Sequence, residues 1–266
     1  MSRAVERGAG TSRFAPGTFS PDPTPARPGQ MLIAQSRLEL TLLLRNGEQL
    51  LLTLFIPVTL LVGLTLLPVV DLPVPRVDSV VPGIMALAVM STAFTGQAIA
   101  VGFDRRYGAL KRLGATALPR WGVLAGKSAA VVVVVALQAV VLGTIGLFLG
   151  WRPHIVGLAL GAVVLVVGTF AFGALGLLLG GSLRADVVLA LANIIWFVLL
   201  GLGGIVVPLD RLPGGIEVIA RLLPSGALTE SLRGAVAGGL DLTALLVLLG
   251  WGVVASAVAT RTFRFT

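Results

Sequence analysis

The sequence contains no cysteine and a single histidine, His154. Disulfides, thiolate metal sites and multi-histidine clusters are thereby excluded, and the redox compartment is left undetermined. Charge is scarce as well: Asp, Glu, Lys and Arg make up 12% of 266 residues, against about 25% in soluble domains. No acid falls in the middle of a long apolar run, so the proton relay of an ion-coupled pump has no residues to use. No Ser/His pair or pair of aspartates lies at membrane depth, which disfavours intramembrane proteolysis. A nucleotide loop is missing too. Gly126-Lys127-Ser128 looks like the end of one, but Trp121 stands where the first glycine is required and Gly122 is one position too close.

What is present is apolar length. The chain is 56% hydrophobic with a mean hydropathy of +0.99. Several runs exceed the roughly 18 residues a helix needs to cross a hydrocarbon core. They do not alternate, as the roughly ten-residue strands of a membrane β-barrel would. The expected fold is an all-α polytopic membrane protein with six transmembrane helices, at about 50–70, 80–101, 123–149, 156–180, 187–207 and 240–260. Residues 1–29, rich in proline, read as a disordered cytosolic tail ahead of a membrane domain at 30–266.

Within 30–47, Arg37, Thr41 and Arg45 form one polar stripe, with Leu32, Ile33, Leu40, Leu43 and Leu44 on the other side. That pattern suits a helix lying in the membrane interface; an extension of the first span into the cytosol is the alternative. Glu39 falls among the apolar residues and is expected to face a protein partner. Paired glycines at 146/150, 157/161 and 176/180 have the spacing that lets helices approach closely.

The net charge of +8 is spread over alternate loops rather than gathered in a block, so no nucleic-acid partner is expected. Fifteen of the twenty Lys and Arg residues fall on one side of the six-span layout, the side of both termini. Positive residues favour the cytosol, which places both termini there. Lys127, at the entry to the third span, is expected to snorkel to the interface. Polar residues inside spans are the default functional candidates: Ser91, Thr92, Thr95, Gln97, Gln138, Thr144, Thr169 and Asn193. With Trp196 and Phe197 they suit a surface that contacts an amphiphile.

Residues 103–127, FDRRYGALKRLGATALPRWGVLAGK, hold six basic residues against one acid. They read as a short amphipathic helix ending near Gly114 and Pro119. Either this is a solvated loop obeying the charge rule, or it is a docking helix whose apolar side enters a groove on a soluble partner.

This loop resembles the cytosolic segment after the second span in permease subunits of ABC-2 type transporters, an exporter family that includes drug-resistance and polysaccharide-export permeases. The similar residues are Asp104, Arg105, Arg106, Gly108, Leu110, Lys111, Arg112, Leu113, Gly114, Thr116, Leu118, Pro119, Gly126 and Lys127. The chain departs at Ala117, where the family often has proline, and at Asp104, where glutamate is common. A second stretch, 206–239, resembles the family's external re-entrant segment through Pro208, Pro213, Pro224 and the pair Glu230 and Arg233.

The resemblance implies a bacterial cytoplasmic-membrane permease without a catalytic or metal site of its own. Its partners would be two copies of a separate ABC ATPase that binds ATP and Mg, and a second permease, identical or different. Arg37, Arg45, Asp104, Arg105, Arg106, Gly108, Leu110, Lys111, Arg112 and Leu113 would couple to the ATPase. Pro208, Pro213, Pro224, Glu230 and Arg233 would form the external gate, and Ser91, Thr95, Gln97, Asn193 and Trp196 the substrate pathway. The cargo expected is a drug, lipid or glycolipid. A membrane scaffold or sensor that partners an ATPase without transport, and a lipid-modifying membrane enzyme, are the other classes the sequence admits.

Overall fold

The computed structural model describes residues 26–263 apart from Val69, Asp71 and Ala117, together with the side chains of that range other than 48–50, 52 and 120. The first 25 residues of the expected tail lie outside this range. Every regular element is helical among the described residues: α1 (Pro28–Arg45), α2 (Gly47–Leu66), α3 (Arg76–Val89), a π-helical segment (Met90–Gly96), α4 (Gln97–Arg106), α5 (Ala109–Gly114), α6 (Arg120–Phe148), α7 (Ile155–Ser182), α8 (Ala185–Leu202), a 3-10 turn (Leu209–Arg211), α9 (Gly214–Leu222), α10 (Pro224–Val236) and α11 (Leu242–Thr262).

Among the described residues, five helical rods are long and apolar enough to cross a membrane: Arg76–Arg106, Trp121–Phe148, Ile155–Ser182, Ala185–Leu202 and Leu242–Thr262. In α2 the corresponding apolar stretch is the shorter Thr53–Leu66. The first rod joins α3, the π segment and α4 without a break, and it is the most buried of the five. Around it stand α2, α6, α7 and α8, with α11 behind α7.

Local chemistry sets the ends of these helices. Pro119 caps the start of α6. At its other end Gly150 takes φ 99°, a left-handed conformation, and hydrogen bonds run from Gly150 N to Leu147 O and from Trp151 N to Gly146 O. This is the paired closure that a glycine allows after the last turn. Asp241 caps α11 by accepting from the Ala244 amide at 3.0 Å.

In lipid, helices associate by close packing rather than by the hydrophobic effect. The glycines of α7 supply that closeness. A Cβ on Gly176 would lie 2.8 Å from the carbonyl oxygens of Ala93 and Phe94, and one on Gly180 would meet the Ala98 carbonyl. Both sit where α7 crosses the π segment and α4. Gly157 plays the same part against α10, since a Cβ there would stand 2.6 Å from the Val236 carbonyl oxygen.

The stretch between α8 and α11 folds back between the helices. Leu228 of α10 packs on Gly168, near the middle of α7. The indole of Trp251, well inside α11, donates to the Leu222 carbonyl at 2.8 Å. Pro208, Pro213 and Pro224 open the elements here: Pro208 and Pro213 precede the 3-10 turn and α9, and Pro224 is the first residue of α10. Their fixed φ suits a helix start, where a missing N–H costs nothing.

Candidate functional site

At the basic end of the bundle, three helices meet at one ammonium group. Lys127 of α6 donates to Glu39 of α1 at 2.9 Å and to Asp104 of α4 at 2.7 Å. The second Glu39 oxygen accepts from the Gln35 amide at 2.8 Å. Only 8% of the Lys127 side chain and 11% of Glu39 is exposed. Two expectations are corrected by this. Lys127 does not snorkel, and Glu39 faces the chain's own lysine rather than another protein. An ammonium this buried needs counter-charges and hydrogen bonds at close range, and the chain supplies both.

Helix α1 packs against the first turns of α6, with Gln35 on Gly126 and Glu39 on Lys127. At roughly 1.5 Å per residue, the 29 residues of α6 exceed the thickness of a hydrocarbon core, so its first turns are free to hold α1 outside it. Arg37, Thr41 and Arg45 form the expected exposed stripe, and Ile33, Leu38, Leu42 and Leu44 are exposed as well.

The basic loop divides into residues that look inward and residues that look outward. Arg105 donates to the carbonyls of Gly180 and Leu183 at 3.2 and 2.9 Å, closing the last turn of α7. Arg106 pairs with Asp186 at the start of α8, at 2.7 Å, and lies over the Phe103 ring. Gly108 has φ 71°, the left-handed turn that separates α4 from α5. Leu110 is fully buried with Val101, Val123 and Leu177. The expectation that Leu110 enters a partner's groove is therefore corrected: it anchors α5 to its own bundle. Lys111, Arg112 and Tyr107 are exposed, and Leu113 is partly so.

Four of the five expected pathway residues share one groove. Ser91 and Thr95 from the π segment and Asn193 and Trp196 from α8 line it, facing Thr53, Ile56 and Pro57 of α2, in a volume of about 520 Å³. The Trp196 indole donates to Ser91 at 3.1 Å, and the Asn193 amide donates to the Leu189 carbonyl at 2.8 Å. Phe197 stacks edge-on against Trp196, with ring centroids 5.0 Å apart. The wall is apolar with a few hydroxyl and amide groups, a surface that an amphiphile can line up against.

Gln97 lies apart from them. It borders a chamber of about 40 Å³ beside Glu39, Lys127 and Thr92, and both ends of its amide are buried without a protein partner. The chamber has room for a water molecule. Thr92 donates to Gln138 at 3.0 Å, linking the π segment to α6.

At the opposite end, Glu230 and Arg233 face one another at 3.2 Å as their spacing predicts. Arg233 also donates to the Gly204 carbonyl at 2.7 Å, tying α10 to the end of α8. Burial lowers the Arg233 pKa from its ordinary value, and Glu230 and Asp210 offset part of that; arginine starts so high that it stays charged. Arg221 bonds Glu217 at 2.9 Å, which holds its pKa up.

A family model described as ABC-2 type transporter matches residues 31–236. The chain belongs to the ABC-2 type transporter family. The match spans α1, both basic-end contacts of Lys127, the groove and α10. No curated protein matches the chain. An ABC-2 chain is the membrane component of an ABC transporter and works with an ABC ATPase subunit. With its apolar helices, it is an integral multi-pass membrane protein.

The residues that sequence reasoning missed are Gln35, Glu39 and Lys127 as a set. One signal for them existed. Glu39 breaks the apolar side of α1, and an acid in that position needs a buried cation.

Proposed function

We propose that the chain is the permease subunit of an ATP-driven exporter, carrying a lipophilic or amphiphilic drug, lipid or glycolipid out of a bacterial cell. It lies in the cytoplasmic membrane with both termini in the cytosol, and α2 serves as the sixth span. Two copies of the ATPase hold ATP and Mg and dock on the exposed cations Arg37, Arg45, Lys111 and Arg112. A second permease, identical or different, completes the complex.

The observation that carries this reading is the shared groove of Ser91, Thr95, Asn193 and Trp196. It offers apolar walls and a few hydrogen-bonding groups, and no ionisable pair among the described residues that line it. Substrate binding there would be read by the ATPases through α1 and the loop beginning at Asp104. Release would pass the segment from Pro208 to Arg233, where α9 and α10 fold back beside the pathway.

The test is reconstitution of the complex in liposomes with a lipophilic cationic dye or a fluorescent phospholipid. ATP-dependent movement of either probe away from the ATPase side, reduced about tenfold in Trp196→Ala, is expected. A complex that assembles and hydrolyses ATP but moves neither probe would favour the scaffold reading.

A further inference from the structure

Helix α1 has two routes by which it can pass a push into the membrane: along the chain into α2, or sideways into α6. The covalent route is soft. Asn46 leaves the helical conformation with ψ 72°, and α2 begins only at Gly47. Both residues are exposed, and a Cβ on Gly47 would touch nothing within 4 Å. A single non-helical residue followed by glycine is the kind of joint that absorbs rotation.

The sideways route is stiff. Lys127 grips Glu39 and Asp104 with short charged bonds; the bond to Glu39 is buried, where such bonds are stronger than at a surface, and Asp104 is half-buried. One residue earlier, Gly126 lets the two backbones close in: a Cβ there would lie 3.1 Å from the Gln35 Cβ. Sliding α1 along α6 would strip the ammonium of a counter-charge in a place that water reaches poorly. Because Asp104 closes α4, the same lysine also holds the central rod.

We propose that α1, α4 and α6, joined at Lys127, form one body that stays intact through the ATP cycle. The ATPase stroke then enters the membrane through α6 and the central rod, and the Asn46–Gly47 joint takes up the motion relative to α2. This rests on the transport reading above, but the clamp itself is measured without a transported substrate.

The chain lacks cysteine, so introduced thiols are its only ones, and a complex with the unaltered chain corrects for labelling of the ATPase. In the full complex with its ATPase, nitroxides at Leu42→Cys on α1 and Val133→Cys on α6 report the clamp, and nitroxides at Leu42→Cys and Phe55→Cys report the joint. Trapping with ATP, Mg and vanadate should leave the first distance unchanged and shift the second. A second variant, Gln35→Cys with Gly126→Cys, places two Cβ atoms slightly closer than the roughly 3.5–4.5 Å of a disulfide. Oxidised, it should retain permease-stimulated ATP hydrolysis within about twofold of the reduced form. A shift of several ångströms between α1 and α6 on trapping overturns the clamp. So does a loss of stimulation on oxidation that reduction restores. If the wild-type complex moves no probe in liposomes, the transport reading fails, while the two distances still decide the clamp.

Discussion

Lys127 and Glu39 stand 88 positions apart in the chain and meet at 2.9 Å inside the bundle. Removing Lys127 leaves the buried Glu39 carboxylate without its counter-charge, which costs about 3–5 kcal/mol in comparable buried pairs; removing Glu39 costs less, because Lys127 keeps its bond to Asp104 at 2.7 Å. Lys127→Met should lower the thermal midpoint of the purified chain by several degrees, and Glu39→Gln by fewer, read from intrinsic fluorescence. The double variant should lose less than the sum of the two, since contacting residues are not additive.

The outward cations Lys111 and Arg112 should act on encounter rather than on folding. Reversing both to glutamate is expected to slow association with the ATPase at low salt. The difference should shrink as the screening length falls below about 10 Å, above 0.1 M salt. Surface-immobilised binding kinetics at several salt concentrations would show it. Reversing Arg105 should behave differently and reduce folded yield, because that side chain closes the end of α7.

Trp196→Ala removes the indole that bonds Ser91 and stacks on Phe197. Probe transport in liposomes should fall about tenfold, equivalent to roughly 1.4 kcal/mol. ATP hydrolysis without added probe should stay near the wild-type value.

Much of this was legible in the sequence, and the misses have physical causes. Helix positions followed from apolar length, and Glu230 faced Arg233 because three residues on a helix place side chains together. Ser91, Thr95, Asn193 and Trp196, singled out as polar or aromatic residues of apolar runs, line one groove. Lys127 was misread because a basic residue at a span entry has the same local pattern whether it snorkels or pairs, and its partner lies on a helix far away in sequence. Leu110 was misread for a similar reason: a short amphipathic helix does not reveal whose core its apolar side joins. The π-helical turn at Met90–Gly96 has no periodic signature, since it is a local insertion in an otherwise α-helical rod and no residue type marks it.

Gly180 tests the packing of the central rod. Its missing Cβ lets α7 rest on the Ala98 carbonyl, so Gly180→Leu should sharply reduce the yield of monodisperse protein in detergent. Gly63→Ala in α2 is the control: nothing lies within 4 Å of the added carbon, and helix propensity alone favours it by about 1 kcal/mol. Size-exclusion profiles of the two variants should diverge in opposite directions from the wild type.

The central claim is that the basic end, with α5 at its tip, faces the cytosol and meets the ATPase. Arg112→Cys in the otherwise cysteine-free chain tests it with a membrane-impermeant thiol reagent on intact cells. The account predicts no labelling until the membrane is permeabilised, and then full labelling that bound ATPase suppresses. Labelling from outside intact cells would contradict it.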